Sequence, residues 1–254
     1  INGSQGSGKS TLAAFLKLFL TSVCEMRAIS LSLDDFYLAR SDRQRLGKLV
    51  HPLLETRGVP GTHDVELMIT TLLQLTGDES TVSVPFFDKS IDDRALPEQW
   101  ECIEAPVDVV LVEGWCLGTP SEPMAALQAP VNDLERVEDP DAIWRCYVND
   151  RIDKVYTEAY NLVDVWIMLQ APSFEHVYRW RLEQENKLSV KTAQQNSDAK
   201  RVMSEAELGR FIQHYQRLTE HALRSLPGSV NYLFKLDADR EIVEFTQPRK
   251  VELR

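Results

Sequence analysis

The amino-acid sequence predicts a three-layer α/β/α fold around a mostly parallel, five-stranded core sheet. Apolar runs of strand length, such as residues 107–112 and 162–169, are typical of parallel strands that are buried on both faces. Helical patterns alternate with these runs along the chain, as they do in parallel α/β proteins. The chain shows no internal repeat and no clear boundary, so we expect a single domain over residues 1–254.

Composition and charge narrow the range of partners. A net charge of −11 and a pI near 5.0 argue against a nucleic-acid-binding surface, which needs an excess of basic residues. They allow a small phosphorylated ligand in a local basic pocket. The longest apolar run, residues 12–24, contains Lys17 and is shorter than the roughly 20 residues of a membrane span. The four cysteines have no zinc spacing, so we expect reduced, buried thiols in a cytoplasmic protein.

A phosphate-binding motif stands at the start of the chain. Residues 3–10, GSQGSGKS, fit the pattern G-x-x-x-x-G-K-[ST], in which glycines let successive backbone amides point at phosphate oxygens. In such a P-loop, Lys9 reaches the β- and γ-phosphates and the hydroxyl of Ser10 ligates Mg²⁺. The helix predicted to follow adds the positive partial charge of its N-terminus. The predicted nucleotide-binding residues are Gly3, Ser4, Gln5, Gly6, Ser7, Gly8, Lys9, Ser10 and Thr11.

A P-loop also needs a central β-strand before it, and only Ile1 and Asn2 precede this motif. The first strand is therefore largely missing, and we expect further residues upstream in the native protein. Any targeting signal would lie among them, so an organelle stays open as an alternative to the cytoplasm. A Gly/Ser loop that matches the motif by chance is the other interpretation, and the helix that follows argues against it.

The remaining elements follow in order along the chain. The charged stretch 40–64 contains Pro and Gly and predicts a long loop or small insertion that contacts the substrate. Residues 120–141 are acidic and predict a surface segment, and residues 189–201 predict a mobile loop. The other predicted strands are 27–33, 81–85, 107–112, 162–169 and 232–236, and the predicted helices are 65–75, capped by Asp64, 149–159, 174–188 and 205–226.

Acidic side chains follow two of the predicted strands. Because ligands of open α/β sheets bind beyond the carboxyl ends of the strands, Asp34, Asp35 and Glu113 should converge on the P-loop. We predict that Asp34 is the general base for an attacking hydroxyl, with Asp35 as the competing choice. One of the two could instead cap the following turn. Glu113 ends an apolar strand, as a Walker-B acid does, and would hold Mg²⁺ directly or through water. The alternative for Glu113 is an ordinary turn at the strand end.

A charged helix predicts a lid over about residues 174–203. Its Arg179 and Arg181 would neutralise the charge that develops on the phosphates during transfer. Residues two apart diverge by roughly 200° on a helix, so only one of them reaches the nucleotide at a time. Alternatively, both form surface ion pairs, Arg179 with Glu175 and Arg181 with Glu185.

Several motifs resemble those of the P-loop kinases of the uridine kinase, phosphoribulokinase and pantothenate kinase group. They are DDFY at 34–37, PFFD at 85–88 with Arg94, and VVLVEG at 109–114. The resemblance implies ATP- and Mg²⁺-dependent transfer of the γ-phosphate to a hydroxyl of a small metabolite, with Asp34 as the base.

The chain is more similar still to the D-glycerate 3-kinase branch and its uncharacterised kinase-like relatives. This resemblance spans nearly the whole chain, although residues 192–201 lack a clear arginine–glycine pattern at the far end of the lid. It favours D-glycerate, phosphorylated at its 3-hydroxyl, as the acceptor. The motifs are LSLDDFYL at 31–38, VHPLLETRGVPGTHD at 50–64, EGW at 113–115 and WRLEQE at 180–185.

The acceptor site is predicted from the same segments. A glycerate carboxylate needs a cation, for which Arg57, Lys89 and Arg94 are the candidates, and each could instead form a loop ion pair. His51 and His63 are candidate hydrogen-bond donors. The predicted substrate residues are Asp35, Tyr37, His51, Arg57, His63, Asp88, Lys89 and Arg94, whereas His176, His214 and His221 are expected on helix surfaces.

Other functions are compatible with the sequence. A nucleoside, pantothenate-like or sugar hydroxyl could replace glycerate, and Phe86 and Phe87 could stack a nucleoside base. A non-catalytic, ATP-binding regulator would keep the P-loop and Glu113 but would not need Asp34. A GTPase is disfavoured because the sequence contains no N-K-x-D segment. We expect no nucleic-acid or membrane partner, and the oligomeric state stays open.

Overall fold

The computed structural model describes residues 1–195 and 203–250. The strands are β1 (Asn2–Gly3), β2 (Ala28–Ser32), β3 (Thr81–Val84), β4 (Phe87–Asp88), β5 (Asp93–Arg94), β6 (Glu101–Glu104), β7 (Val109–Glu113), β8 (Ile167–Gln170), β9 (Tyr232–Leu236) and β10 (Ile242–Thr246). The helices are α1 (Lys9–Ser22), α2 (Arg40–Leu49), α3 (Val65–Thr76), α4 (Asp133–Glu138), α5 (Ile143–Arg151), α6 (Thr157–Tyr160), α7 (Phe174–Gln195) and α8 (Glu205–Ser225). A π-helical turn, Ile152–Tyr156, makes α5 and α6 one continuous helical segment.

The central sheet is mostly parallel, as the sequence predicts. Strands β1, β8 and β9 pair in parallel, β2 pairs in parallel with β7, and β10 adds an antiparallel edge to β9. The two groups meet at β1, where Gly114 donates its amide hydrogen to Ile1 O at 3.1 Å and a parallel bridge joins Asn2 to Gly114. The P-loop therefore leaves the middle of the sheet, and the ends of β2 and β7 lie on one side of it.

Local sequence signals placed several elements correctly. Helix α3 begins where Asp64 accepts a hydrogen bond from the amide of Leu67 at 3.1 Å. Helix α8 begins after Ser204, which forms a capping box with Glu207. Strand β9 has the bounds that its apolar pattern predicts. Caps and short apolar runs act within a few residues, which is why the sequence alone reveals them.

The stretch 40–64 is not simply a long loop, because its first part forms helix α2. Arg43 is only 1% exposed and anchors this helix in the interior. Its guanidinium donates to the backbone carbonyls of Glu55 at 2.8 Å and Asp92 at 2.7 Å. An arginine at a core position conceals the apolar periodicity by which an amphipathic helix is recognised.

Residues 120–141 are not simply a surface segment. Glu135 and Asp139 are 0% and 1% exposed, and each is paired with a buried arginine. Arg217 donates to both oxygens of Glu135, at 2.8 and 2.7 Å, and Arg145 donates to Asp139 at 2.9 Å. An acidic segment is expected at the surface only if no basic side chain pairs with its carboxylates. Here both arginine partners come from helices.

Other expectations were wrong in detail. His214 is 4% exposed and lies inside the protein rather than on a helix surface, whereas Cys24 and Cys102 are exposed thiols. Helix α7 continues to Gln195, so residues 189–195 are helical rather than a loop. The rest of that predicted loop, 196–201, and the far end of the predicted lid lie outside the described residues.

Small antiparallel pairings were not anticipated by the sequence. Strand β3 pairs with β6, and β4 pairs with β5. Strand β10, which was not predicted either, pairs with β9 through a register shift between Ile242 and Glu244. Each pairing depends on a partner strand rather than on a local pattern. No helix within residues 1–195 and 203–250 is both long and apolar enough to cross a membrane.

Candidate active site

The loop between β1 and α1 has the backbone geometry of a phosphate cradle. Gly6 and Gly8 have φ values of 78° and 90°, which side-chain-bearing residues rarely adopt. A Cβ on Gly6 would lie 2.7 Å from Cβ of Trp180, so a larger residue would clash with α7 as well. The hydroxyls of Ser4 and Ser7 are buried and find no hydrogen-bond partner among the described residues. These orphaned donors and the N-terminus of α1 fit an anionic ligand.

Lys9, Ser10 and Glu113 form a compact group beside this loop. Ser10 donates its hydroxyl hydrogen to Glu113 Oε1 at 2.7 Å, and Lys9 Nζ lies 4.0 Å from Glu113 Oε2. Glu113 is 6% exposed, and its Oε2 accepts no hydrogen bond from any residue that the structure describes. A buried carboxylate oxygen beside a serine hydroxyl matches the hard oxygen ligands that Mg²⁺ prefers.

Asp34 follows β2 and receives two hydrogen bonds on its carboxylate. Lys89 Nζ donates to Oδ2 at 2.5 Å, and the Tyr37 hydroxyl donates to Oδ1 at 3.0 Å. Burial raises the pKa of Asp34, but the Lys89 ammonium and, more weakly, Lys9 outweigh it, so the pKa lies below its ordinary value. Asp34 is therefore ionised near neutral pH and holds its two oxygens in fixed directions.

Asp35 has a different environment from its neighbour. Its Oδ2 accepts from the amide of Ser32 at 3.3 Å and its Oδ1 from the amide of Phe87 at 3.4 Å. It completes the capping box of the 3₁₀ turn Leu33–Phe36. Burial raises the pKa of Asp35 above its ordinary value. The backbone thus uses both Asp35 oxygens, whereas the partners of Asp34 are side chains.

Arg57 and Arg94 both lie near the turn that carries Asp34 and Asp35, and they make different contacts. Arg57 contacts the carboxylate of Asp92, and its guanidinium carbon lies 5.3 Å from the ring centroid of Phe87. Arg94 donates to the backbone carbonyl of Tyr37 at 2.9 Å and to Asp64 at 3.1 Å. Arg94 therefore holds the Asp34–Tyr37 segment in place.

The two histidines predicted to bind substrate, His51 and His63, lie in different parts of the fold. His63 is 5% exposed and stacks on Tyr37 with ring centroids 4.5 Å apart, next to Asp34. His51 instead accepts from the amide of Leu53 at 3.3 Å and faces Asp139, with Nε2 3.8 Å from the carboxylate. His51 is therefore not brought to the group around Asp34.

The hairpin β4–β5 supplies the remaining predicted substrate residues. Asp88 accepts from the amide of Ser90 at 2.8 Å and from its hydroxyl at 2.5 Å, which shapes the turn. Lys89 follows directly and points to Asp34 with more than half of its side chain exposed. The turn thus places an exposed cation against the candidate base.

The two lid arginines have different surroundings on α7. Arg181 donates to Glu185 at 2.6 Å, and the other oxygen of this buried carboxylate accepts from the amide of Met203 at 3.0 Å. Arg179 is exposed and has no hydrogen bond or ion pair within the described ranges. The ion-pair alternative thus describes Arg181, whereas Arg179 forms no salt bridge in the described ranges but helps to lower the pKa of Glu175.

The sequence did not single out Arg240, which contacts both the P-loop and helix α7. Arg240 donates from Nε to the carbonyl of Gly6 at 3.0 Å, and its guanidinium carbon lies 5.3 Å from the ring centroid of Trp180. Arg240 also donates to Glu183 at 2.5 Å, so it ties α7 to the P-loop. The segment after β9 carries no motif, so only the three-dimensional structure could show its part in the site.

A P-loop in the middle of a parallel sheet, with acids at the ends of two neighbouring strands, defines a P-loop phosphotransferase. Comparison with known proteins narrows this class. The chain is 34% identical over 243 residues to the uncharacterised kinase mug58 of Schizosaccharomyces pombe, covering 91% of this chain and 82% of that protein. It therefore belongs to the family of P-loop kinases that contains mug58 and D-glycerate 3-kinase.

Two further relatives agree with this assignment. The chain is 31% identical over 220 residues to the chloroplastic D-glycerate 3-kinase of Arabidopsis thaliana, covering 83% of this chain and 44% of that protein. The solved structure of D-glycerate 3-kinase from Cryptococcus neoformans superposes with a TM-score of 0.79 at 25% identity, over 97% of this chain and 87% of that one. No protein-family model matches the chain. The protein is an ATP-dependent kinase that acts on small molecules.

Proposed function

We propose that the protein phosphorylates D-glycerate at its 3-hydroxyl, with ATP as donor and Mg²⁺ as cofactor, in a single kinase domain. One observation carries this proposal. Asp34 holds an ionised carboxylate between Lys89 and Tyr37, at the strand end beside the Lys9–Ser10–Glu113 group. The names of the Arabidopsis and Cryptococcus relatives support glycerate as the acceptor.

The donor half of the reaction rests on the P-loop. Its amides and Lys9 would bind the β- and γ-phosphates, and the Ser10 hydroxyl with Glu113 Oε2 would hold Mg²⁺. When bound, Mg²⁺ neutralises charge on the phosphate oxygens. Arg179, exposed on α7, is the arginine that would reach the transferred group, while Arg181 stays paired with Glu185.

The acceptor half rests on Asp34. Its carboxylate accepts the proton of the acceptor hydroxyl, whose oxygen then bonds to the γ-phosphorus as the bond from that phosphorus to the bridging oxygen of ADP breaks. Lys89 would turn from Asp34 to the glycerate carboxylate, which its exposed side chain permits. The charge of Arg57 acts on Tyr37 and that of His63 on Asp34, and both residues are candidates for further hydrogen bonds to this small acid.

The experiment that tests this proposal measures ADP release with ATP, Mg²⁺ and a panel of acceptors. D-glycerate, L-glycerate, uridine and pantothenate are compared in parallel. Turnover of D-glycerate with little turnover of the others supports the proposal, and turnover of uridine without glycerate contradicts it. Uridine is included because Phe86 is 40% exposed and could stack a base, whereas Phe87 is buried against Tyr37.

A matched pair of variants tests the base and the regulator alternative together. Asp34→Asn should keep ATP binding and lower turnover by about 10²-fold or more, as expected for loss of a general base. Asp35→Asn, its neighbour, should lower turnover less than Asp34→Asn, because it removes one acceptor of a backbone amide rather than the base. Equal turnover of Asp34→Asn and wild type would reject Asp34 as the base. ATP binding without any acceptor turnover in the wild type would favour the non-catalytic regulator.

A further inference from the structure

We propose that Tyr156 is a positioning residue that holds His63 in the tautomer with hydrogen on Nε2, so that Nε2 donates a hydrogen bond to the acceptor molecule beside Asp34. The hydrogen bond from His63 Nε2 to the acceptor molecule rests on the proposed function, whereas the tautomer of His63 does not. Tyr156 stood in no motif of the sequence. Its hydroxyl lies 2.6 Å from His63 Nδ1, across 93 positions of sequence.

The direction of the Tyr156–His63 hydrogen bond follows from a third group. The backbone amide of Gly61 donates to the Tyr156 hydroxyl oxygen at 3.2 Å, and an amide can only donate. The tyrosine is 0% exposed, so its own hydrogen needs an acceptor, and Nδ1 is the acceptor that the described residues offer. Tyr156 therefore donates to Nδ1, which must be the unprotonated nitrogen of the ring.

The His63 ring is neutral, which places its single hydrogen on Nε2. Burial lowers the pKa of His63 to about 3, and the charge of Asp34 raises it by less than burial lowers it. Near neutral pH the ring carries one hydrogen, and Nδ1 is occupied as an acceptor. Nε2 is then a hydrogen-bond donor.

This Nε2 donor has no partner in the part of the chain that the structure describes. The two ring nitrogens point in diverging directions, so Nε2 faces away from Tyr156. The ring stacks on Tyr37, whose hydroxyl donates to Asp34, and the charge of Asp34 acts on the ring, so His63 is a close neighbour of the candidate base. A buried donor without a partner is costly, and an oxygen of a bound hydroxy acid would satisfy it.

The local backbone also supports a functional role for Tyr156. This residue ends the π-helical turn Ile152–Tyr156 that interrupts the α5–α6 helix. Such turns are uncommon and are found frequently at functional sites. Tyr156 is the last residue of this turn, and its hydroxyl contacts both Gly61 and His63.

Tyr156→Phe tests the proposal, with Tyr160→Phe as the matched control. Tyr160 is a neighbouring tyrosine whose hydroxyl donates to the carbonyl of Cys116 at 3.2 Å, away from His63. Imidazole ¹⁵N NMR of full-length protein should show His63 with hydrogen on Nε2 in wild type and Tyr160→Phe, and a mixture of tautomers in Tyr156→Phe. The KM for the acceptor should rise about tenfold in Tyr156→Phe alone, with the KM for ATP unchanged.

Each outcome decides one part of the proposal. An unchanged tautomer in Tyr156→Phe overturns the positioning role, and an altered tautomer with unchanged acceptor KM overturns the donor role. KM is measured with whichever acceptor of the panel the wild type turns over. If it turns over none, the proposed function and the donor role both fail, while NMR still decides the tautomer.

Variants of His63 itself cover the case in which Tyr156→Phe does not fold. His63→Gln keeps an N–H donor near the position of Nε2, whereas His63→Leu removes it. A lower acceptor KM for His63→Gln than for His63→Leu supports the donor role. Equal acceptor KM values for His63→Leu and wild type overturn it.

Discussion

Ser10 and Glu113 lie 103 positions apart in the sequence, and in the folded protein the Ser10 hydroxyl donates to Glu113 Oε1 at 2.7 Å. The other oxygen of Glu113 is buried without a hydrogen-bond partner in the described part of the chain. A buried carboxylate with only one hydrogen-bonded oxygen can bind a further ligand through its other oxygen. Under the proposed function that ligand would be Mg²⁺ or its water.

Glu113→Gln should remove the magnesium dependence of ATP binding and lower turnover by about 10²-fold. The amide keeps the size of the side chain and can still accept from Ser10, so the effect reports the lost charge. Calorimetric titration of ATP with and without Mg²⁺ measures it. Glu104→Gln, at an exposed position of β6, is the control and should titrate like wild type. Full magnesium dependence in Glu113→Gln would assign the metal to other ligands.

Lys89→Met should move the acidic limb of the kcat/KM profile to higher pH. The Lys89 ammonium is the largest influence that lowers the pKa of Asp34, so without it burial dominates and the carboxylate protonates at higher pH. Lys154→Met, which removes an exposed lysine paired with Asp150, is the control. If the acidic limbs of the kcat/KM profiles of Lys89→Met and wild type coincide, protonation of Asp34 does not set the pH dependence.

Arg217→Met should destabilise the protein by about 3–5 kcal/mol, because it leaves Glu135 buried without its partner. Arg210→Met, on the same helix, removes an ion pair with Glu138 whose arginine is 54% exposed, and should cost about 1 kcal/mol or less. Urea unfolding of both variants measures the difference. Similar losses in the two would mean that burial does not govern these pairs.

Acid should destabilise the protein partly through His214, since burial lowers its pKa to about 4. Below about pH 6.5 the unfolded chain protonates this histidine while the folded chain does not, so stability present at higher pH is lost as the pH falls toward about 4. The contribution is about 1.4 kcal/mol per pH unit. His214→Gln should flatten the pH dependence of the urea midpoint over this range. An equal slope in the variant would show that His214 titrates alike in both states.

Local signals predicted the parts of the site that depend on a few consecutive residues. The P-loop glycines, the cap Asp64 and the acids at the ends of β2 and β7 were all placed from the sequence. The choice between Asp34 and Asp35 was not, because it depends on which carboxylate meets backbone amides and which meets Lys89. That distinction appears only when the β4–β5 hairpin packs against the end of β2.

Distant partners explain most of what the sequence missed. Arg43, Glu135 and His214 look like surface residues, yet each is buried. A polar side chain enters the interior only where a partner compensates its lost hydration, and such partners are far away in the sequence. The bond between His63 and Tyr156 spans 93 positions in the same way.

The sequence by itself determined the class of fold, the phosphate cradle and the acids that face it, because glycine torsions, helix caps and apolar runs are short-range physical constraints. The tertiary structure alone decided which charges are buried, which of two adjacent aspartates bonds to backbone amides and which tyrosine contacts His63. These depend on packing between segments that chain connectivity does not place side by side, and the energy of a polar group is set by the neighbours that packing supplies.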